Sequence, residues 1–341
     1  MDRRAQRHAL RLWGLQRRPG DACDGGPPRS REGRLDRHGA GPPGSHVIRV
    51  LLKEARPKQW LKNVLVFAAP GAAGVLTQGA YLWRTVVVFV AFCLTASGTY
   101  FWNDIVDVEA DRLHPKKSLR PVASGRISLP VARVVGTVLL ASGIAASVGV
   151  WRWRAPLVLV IYVALTLAYS VFLRNRAVFD LVAVASGFVL RAIGGAVASG
   201  VYMSKWFLLC TMFGSLFIVT GKRYAELREL GGDAQSTRAT MDTYTIPFLR
   251  LVLTVACGAT LVAYCVWAFE AGTADPGPFP FYELSVAPML VALLRYALVL
   301  ETGRGGAPEE VFLQDRALQL VGLSWLVIFG LGVYLGHGVR A

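Results

Sequence analysis

Apolar residues occur along the chain in nine stretches of about 20 residues, separated by segments that hold most of the charges. A bilayer core of about 30 Å is crossed by roughly 20 residues of α-helix, so each stretch is long enough to span a membrane. The predicted spans cover residues 61–78, 81–102, 129–149, 155–173, 178–198, 203–221, 245–269, 283–301 and 317–337. The pattern predicts an all-α, polytopic membrane protein with about nine transmembrane helices.

The N-terminal segment lacks this pattern. Residues 1–46 hold ten arginines and five acidic residues, with almost no aliphatic residues after Leu15, which predicts a disordered basic arm. Contact with anionic lipid and a dispensable extension are both consistent with this composition. Residues 47–60 mix apolar and basic side chains and predict an interfacial helix broken at Pro57. The folded membrane domain is therefore expected over 47–337.

Charge is distributed unevenly among the connecting segments. The net charge is +15, although only 17% of the residues are charged. Segments 103–128, 174–177, 222–244 and 302–316 contain 13 Lys and Arg residues, whereas the opposite set contains two, Arg152 and Arg154. This bias predicts that the N-terminus and the four basic segments face the cytoplasm. Basic loops of this kind meet anionic lipid or phosphate, so membrane lipids are expected partners and nucleic acid is not.

An acidic cluster follows the second predicted span. Asn103, Asp107 and Asp111 recur every four residues, and Asp104 follows Asn103, so on a continuing helix they share one face. Clustered carboxylates repel one another unless a cation joins them, and Mg²⁺ binds through a few carboxylates and substrate phosphate oxygens. We expect Asp104, Asp107 and Asp111 to bind Mg²⁺, with Asn103 orienting the cluster or supplying a neutral ligand. A solvated acidic loop is the alternative.

Basic and aromatic residues near these acids are candidates for phosphate binding. The run after the acids comprises His114, Lys116, Lys117, Arg120 and Arg126. Lys and Arg bind phosphate oxygens well, although the positive-inside bias alone also produces such runs. Arg191 lies within the fifth predicted span, where a charge is costly and usually functional; helix pairing or snorkelling is its alternative. Tyr169 ends the fourth span and either reaches the substrate or anchors the interface.

Two combined motifs resemble a known family. They are Asn103-Asp104-x-x-Asp107-x-x-x-Asp111 with Arg120-Pro121-Val122-Ala123-Ser124-Gly125, and Tyr169-Ser170-x-x-Leu173-Arg174 after the fourth span. With them the chain resembles the UbiA superfamily of intramembrane prenyltransferases over roughly residues 50–337. The resemblance implies a bundle of transmembrane helices around a central cavity, with a cytosolic cap over two acidic motifs. One motif would hold a leaving pyrophosphate through Mg²⁺.

The second acidic motif departs from the usual family pattern. After the sixth span the chain reads Thr220-Gly221-Lys222-Arg223-Tyr224-Ala225-Glu226, and the segment before the first span reads Arg56-Pro57-Lys58-Gln59-Trp60-Leu61-Lys62-Asn63. Both segments resemble the branch that transfers 5-phosphoribose from phosphoribosyl pyrophosphate to decaprenyl phosphate for cell-wall arabinan synthesis. That branch implies a multi-pass protein of the plasma membrane. It also implies additional anion-binding residues, for which the candidates are Lys58, Lys62, Arg174, Lys222, Arg223 and Glu226.

Two other functions stay open from the sequence. An aromatic polyprenyltransferase using a polyprenyl pyrophosphate shares the first motif, but it would favour acids where Lys222 and Arg223 stand. A non-catalytic transporter is consistent with broken helices and charges within the membrane. Small residues such as Gly187, Gly194 and Gly195 permit close helix packing within one chain or between chains, so a homo-oligomer is a further expectation.

Overall fold

The structure is a computed structural model that describes residues 43–230, 243–274, 279–302 and 308–336. The expected basic arm, apart from its last few residues, lies outside this part. The α-helices are α1 (Pro43–Ala55), α2 (Ala68–Ala72), α3 (Gly79–Val106), α4 (Val108–Leu113), α5 (Leu129–Val148), α6 (Arg154–Val171), α7 (Phe179–Ser199), α8 (Lys205–Leu230), α9 (Ile246–Ala274), α10 (Phe281–Leu284), α11 (Val286–Glu301), α12 (Pro308–Gln314) and α13 (Arg316–Gly336). Short 3₁₀ helices cover Pro57–Phe67, Val75–Thr77, Lys117–Leu119 and Leu173–Asn175.

The predicted all-α membrane fold is confirmed, whereas the count of nine spans is not. Within the described ranges, seven helical segments are long and apolar enough to cross a membrane: α3, α5, α6, α7, α9, α10 with α11, and α13. Many of their apolar side chains face outward, including Val134 at 63% and Leu320 at 68% exposure. Such surfaces are stable against lipid rather than water. The protein is therefore a multi-pass membrane protein.

The first predicted span is not a continuous α-helix. Residues 61–78 instead form most of the 3₁₀ helix Pro57–Phe67, the short helix α2 and a further 3₁₀ turn. Pro70 and Gly71 lie in this stretch, and the left-handed backbone at Gly74 (φ 68°) separates α2 from the following 3₁₀ turn. The 3₁₀ helix Pro57–Phe67, called the 3₁₀ segment below, packs between α3 and α7. Val66 is fully buried there, and a Cβ added at Gly195 of α7 would stand 2.7 Å from the Val66 carbonyl carbon. Only glycine permits this approach of the two backbones.

The helix at the sixth predicted span, α8, is not among these seven segments, and it is longer than the apolar pattern indicated. The sequence predicted a loop from residue 222, but α8 continues to Leu230 and carries Lys222, Arg223 and Glu226 on helix rather than loop. Residues of this extension are good helix formers, and ion pairs three and four residues apart join both cations to Glu226. A helix of 26 residues is about 39 Å long, so it extends beyond a bilayer core of about 30 Å.

Two buried clusters hold the helices together. One joins the 3₁₀ segment to α3, α6 and α7 through residues such as Val66, Phe92 and Leu159. The other joins α7, α8, α9, α11 and α13 and includes Phe217 and Leu318. Helix α7 contributes to both clusters, so it connects the two parts of the bundle.

Candidate active site

The acidic residues lie where α3 gives way to α4. Asn103 and Asp104 occupy the last turns of α3, Asp107 is the residue between the helices, and Asp111 lies in α4. The amide of Asp107 donates to the carbonyl of Asn103 (2.9 Å), and the amide of Asp111 donates to that of Asp107 (2.8 Å). The backbone thus keeps near-helical spacing across the junction. All four side chains line one cavity of about 470 Å³.

Each aspartate of the cluster is paired with an arginine. Arg56 contacts both carboxylate oxygens of Asp104, at 2.6 and 2.7 Å. Arg120 bridges Asp104 (3.2 Å) and Asp111 (2.6 Å). Arg174 contacts both oxygens of Asp107, at 2.5 and 2.6 Å. Asp104 and Asp111 are almost fully buried, whereas the arginines remain about 30% exposed at the cavity. Three guanidinium groups therefore sit between the carboxylates and solvent.

Arg56 was not among the residues selected from the sequence. It precedes Pro57 and adopts a left-handed backbone (φ 52°, ψ 59°), a strained conformation for a non-glycine residue. Its guanidinium lies 4.8 Å from the centre of the Tyr100 ring, in cation–π geometry. The residue with the strained backbone, Arg56, thus has its side chain held between Tyr100 and Asp104. The Arg-Pro pair marked this segment in the sequence, but only Lys58 and Lys62 were selected there.

Glu54 is a second residue that the sequence did not indicate. It is 1% exposed at the end of α1, and its carboxyl lies against that of Asp104. Neither carboxylate oxygen meets a hydrogen-bond donor among the described residues. Burial, followed by the contact with Asp104, raises the pKa of the Glu54 carboxyl to about 8. A fourth carboxyl group therefore lies against the aspartate cluster, although it is not part of the cavity lining.

The cavity lining includes eight of the residues selected from the sequence. These are Asn103, Asp104, Asp107, Asp111, Lys117, Arg120, Tyr169 and Arg174. Asn103 is fixed by Ser170, whose hydroxyl donates to its side-chain oxygen at 2.5 Å. Lys58, Lys62 and Lys116 are not part of this lining. Lys58 and Lys116 are exposed, and Lys62 is half-buried.

The second motif forms a polar cluster next to this cavity. Arg223 of α8 is 5% exposed; it contacts Glu226 at 2.7 Å and lies 3.4 Å from the hydroxyl of Tyr169, which lines the cavity. Lys222 reaches the same glutamate at 4.0 Å. The sequence did not indicate Asp180 of α7, which lies 3.4 Å from Arg223.

Tyr244 completes this cluster from the segment before α9. Its hydroxyl donates to Asp180 and accepts from the amide of Val178 at 2.7 Å. Burial, followed by the contact with Asp180, raises the pKa of Tyr244 above its ordinary value. No local motif marks either Asp180 or Tyr244, because the chain separates them by more than 60 residues.

Arg191 lies apart from both polar clusters. It is 7% exposed, and its guanidinium donates to Asn63 (2.7 Å), to the carbonyl of Gly187 (2.6 Å) and to Tyr162 (2.9 Å). Asn63 in turn donates to Cys93 at 3.2 Å. This network links α7 to the 3₁₀ segment, α6 and α3. The structure thus places Arg191 in helix packing rather than in the lining of the 470 Å³ cavity.

The donor set fits a hard divalent cation. Three aspartates and the Asn103 amide supply only oxygen ligands, and Glu54 adds two buried oxygens without a donor. Among the residues that the structure describes, no three acidic, histidine or cysteine side chains already converge on one point. The arginines occupy the space between the carboxylates. Metal binding therefore requires guanidinium groups to leave the aspartates.

A second, apolar cavity of about 760 Å³ lies within the bundle. Its lining comes from the 3₁₀ segment, α2, α7, α8, α9, α11 and α13, and includes Phe188, Phe217 and Phe329. Helix α8 contributes residues up to Ile218 to this cavity and Arg223 to the polar cluster. Five residues of helix rise about 7.5 Å, so the apolar cavity ends near the cations.

Comparisons with known proteins agree with this architecture. Curated decaprenyl-phosphate phosphoribosyltransferases are 41% identical: that of Corynebacterium glutamicum over 84% of this chain and 87% of its own length, and that of Mycobacterium tuberculosis over 86% and 97%. A UbiA homologue from Archaeoglobus fulgidus, solved with GPP and Mg²⁺, shares the fold with a TM-score of 0.62. It is 18% identical, with 85% of this chain and 99% of that chain covered. The same homologue is also known with Cd²⁺ bound. The UbiA prenyltransferase family pattern matches residues 64–334, and the chain belongs to that family.

Proposed function

We propose that the protein transfers 5-phosphoribose from phosphoribosyl pyrophosphate to decaprenyl phosphate and releases pyrophosphate. The observation that carries this proposal is the cationic second motif, which has two cations, Lys222 and Arg223, and one acid of its own, Glu226. Arg223 also pairs with Asp180 of α7 and lies beside Tyr169 of the cavity lining. An aromatic polyprenyltransferase must bind one pyrophosphate. The phosphoribosyl reaction must hold a pyrophosphate, a 5-phosphate and a lipid phosphate together, so it needs more cations. The 41% identity to decaprenyl-phosphate phosphoribosyltransferases supports the same assignment.

The donor pyrophosphate binds at the aspartate cluster. Asp104, Asp107 and Asp111 hold Mg²⁺, which when bound polarises the leaving pyrophosphate as a Lewis acid. Arg120 and Arg174, which pair with these carboxylates in the structure, turn their guanidinium groups to phosphate oxygens. The exchange keeps every charge paired, and bidentate contacts with phosphate oxygens fix the orientation of the donor.

The acceptor lipid uses the second cluster and the apolar cavity. Its phosphate lies near Arg223 and Lys222, while part of the prenyl chain occupies the 760 Å³ cavity. Because α8 contributes to both regions, the phosphate and the chain are held by one rigid element. Tyr169 connects this cluster to the donor cavity through its contact with Arg223.

The reaction forms one bond and breaks one bond at C1 of the ribose. An oxygen of the lipid phosphate attacks C1, and the bond from C1 to the pyrophosphate breaks, with its electron pair leaving on pyrophosphate. The lipid phosphate is already ionised near neutral pH, so no general base is required. Positive charge develops at C1 as in glycosyl transfer, and fixed cations and carboxylates supply positioning and electrostatic stabilisation. Lys117, Arg120 and Arg174 line the cavity, and the positive-inside bias supports an active site that faces the cytoplasm. The plasma membrane is the proposed location, as the resemblance to the phosphoribosyltransferase branch implies.

A direct transfer assay tests the proposal. Protein purified in detergent is incubated with Mg²⁺, decaprenyl phosphate and radiolabelled phosphoribosyl pyrophosphate, and label is measured in the organic phase. We expect lipid-borne label that disappears with EDTA. Absence of transfer, with activity on a polyprenyl pyrophosphate and an aromatic acid, would instead assign an aromatic polyprenyltransferase.

A further inference from the structure

Glu54 is an anomaly among the charged residues of the protein. Its side chain is 1% exposed, yet neither carboxylate oxygen meets a donor among the described residues. Buried carboxylates are almost always paired or hydrogen-bonded, because leaving them without a partner costs several kcal/mol. Its nearest acidic neighbour, Asp104, is itself an acceptor and already pairs with Arg56 and Arg120. When the Glu54 carboxyl ionises, it therefore requires a partner that carries positive charge.

The arginines near these carboxyl groups already pair with the aspartates. Arg56, Arg120 and Arg174 contact Asp104, Asp107 and Asp111. Lys117 is a further cation of the cavity lining, to which Glu54 does not belong. The three aspartates are each paired with an arginine, so Glu54 is the carboxyl group left over. Two carboxyl groups in contact are joined most stably by a cation bound between them.

We propose that Glu54 supplies a further carboxylate ligand, alongside Asp104, to the divalent cation of the donor site. This inference rests on the proposed function, because it assumes that a metal binds at the aspartate cluster. Glu54 lies outside that cluster, on α1, and two residues before the left-handed Arg56. Residues 54–56 therefore place a metal ligand, Glu54, and a phosphate-binding cation, Arg56, beside the same aspartate, Asp104. Cation binding at Glu54 and Asp104 also frees Arg56 for the substrate.

Divalent metal binding can be measured without turnover. Mn²⁺ is titrated into the full-length protein in detergent with inorganic pyrophosphate present, and free Mn²⁺ is followed by electron paramagnetic resonance. A protein-free titration at the same pyrophosphate concentration gives the Mn²⁺ bound by pyrophosphate alone, which is subtracted. We expect Glu54→Gln to raise the apparent Kd for Mn²⁺ by about tenfold or more. The matched control is Glu109→Gln, which removes the same charge from α4 at an 81% exposed side chain and should leave the Kd unchanged.

The melting temperature separates a ligand from a structural residue. In metal-free protein the Glu54 carboxylate has no partner, so Glu54→Gln and Glu54→Met should both melt at or above the wild-type temperature. A structural role predicts the opposite, with both variants melting lower and binding Mn²⁺ normally. Failure of both variants to fold would contradict the proposal, as would wild-type Mn²⁺ affinity in Glu54→Gln. If wild-type protein itself binds no Mn²⁺, the proposed metal site of the donor pyrophosphate is wrong. That outcome is distinct from a failure of the proposal for Glu54 alone.

Discussion

The contact between Gly195 and Val66 gives a prediction with a magnitude set by the geometry. In Gly195→Ala, the new Cβ would stand 2.7 Å from the Val66 carbonyl carbon and closer to its oxygen, whereas ordinary contact begins at 3.4 Å. The two backbones must therefore separate by at least about 0.7 Å. Both lie in packed surroundings, and overpacking of this kind costs about 1–3 kcal/mol or more. We expect a fall in melting temperature of about 2–5 °C, measured by thermal denaturation in detergent.

Gly258→Ala is the matched control for this substitution. Gly258 lies in the membrane-spanning α9, and a Cβ there meets nothing within 4 Å. Alanine is the better helix former by up to about 1 kcal/mol, so the control should melt at or slightly above the wild-type temperature. Equal melting temperatures for the two variants would refute the argument. They would mean that the 3₁₀ segment moves away from α7 without cost.

Three further outcomes are expected. Asp107→Asn should lower turnover in the transfer assay at least 100-fold, because it removes a charge that holds the metal; substantial retained activity would exclude Asp107 as a ligand. Gly214→Leu adds side-chain volume to the apolar cavity that Gly214 lines. It should lower kcat/KM for decaprenyl phosphate more than for a short prenyl phosphate. An equal loss on both lipids would mean that the prenyl chain does not occupy this cavity. The pKa of the Glu54 carboxyl is raised from 4.5 to about 8. At pH values between these two, the carboxyl is protonated in the folded, metal-free protein and ionised in the unfolded chain. The melting temperature of the metal-free protein should therefore fall as pH rises from about 5 to 8 and level off above, and Glu54→Gln should remove that slope.

Periodicity and motif spacing predicted the parts of the site that are local in sequence. The four-residue spacing of Asn103, Asp107 and Asp111 brings these residues to one cavity because the backbone stays nearly helical through Asp107. The predicted family and enzyme class are confirmed by relatives that match most of the chain. The roles assigned to individual residues stay predictions.

Features that depend on long-range packing were not predictable in the same way. The apolar content of 61–78 predicted a span. Close contact with Gly195 and the hydrogen bonds that Asn63 accepts from Arg191 and donates to Cys93 instead hold this stretch in an irregular form. Glu54 resembled one more charge on an amphipathic helix, since nothing in the sequence places α1 against Asp104. Asp180 likewise gains its significance from Arg223 and Tyr244, which lie 43 and 64 residues further along the chain.

The arginine–aspartate pairing also determines how ligands compete and cooperate at the cavity. A metal ion arriving alone must displace Arg56, Arg120 or Arg174 from a carboxylate, and pyrophosphate arriving alone must take a guanidinium from the same carboxylate. When both arrive, each receives the groups that the other releases. If metal and donor bind here as proposed, their binding is thermodynamically linked, and each raises the affinity of the other by the same factor. The proposed site would then hold little metal without donor, and the apparent metal requirement would fall as donor concentration rises.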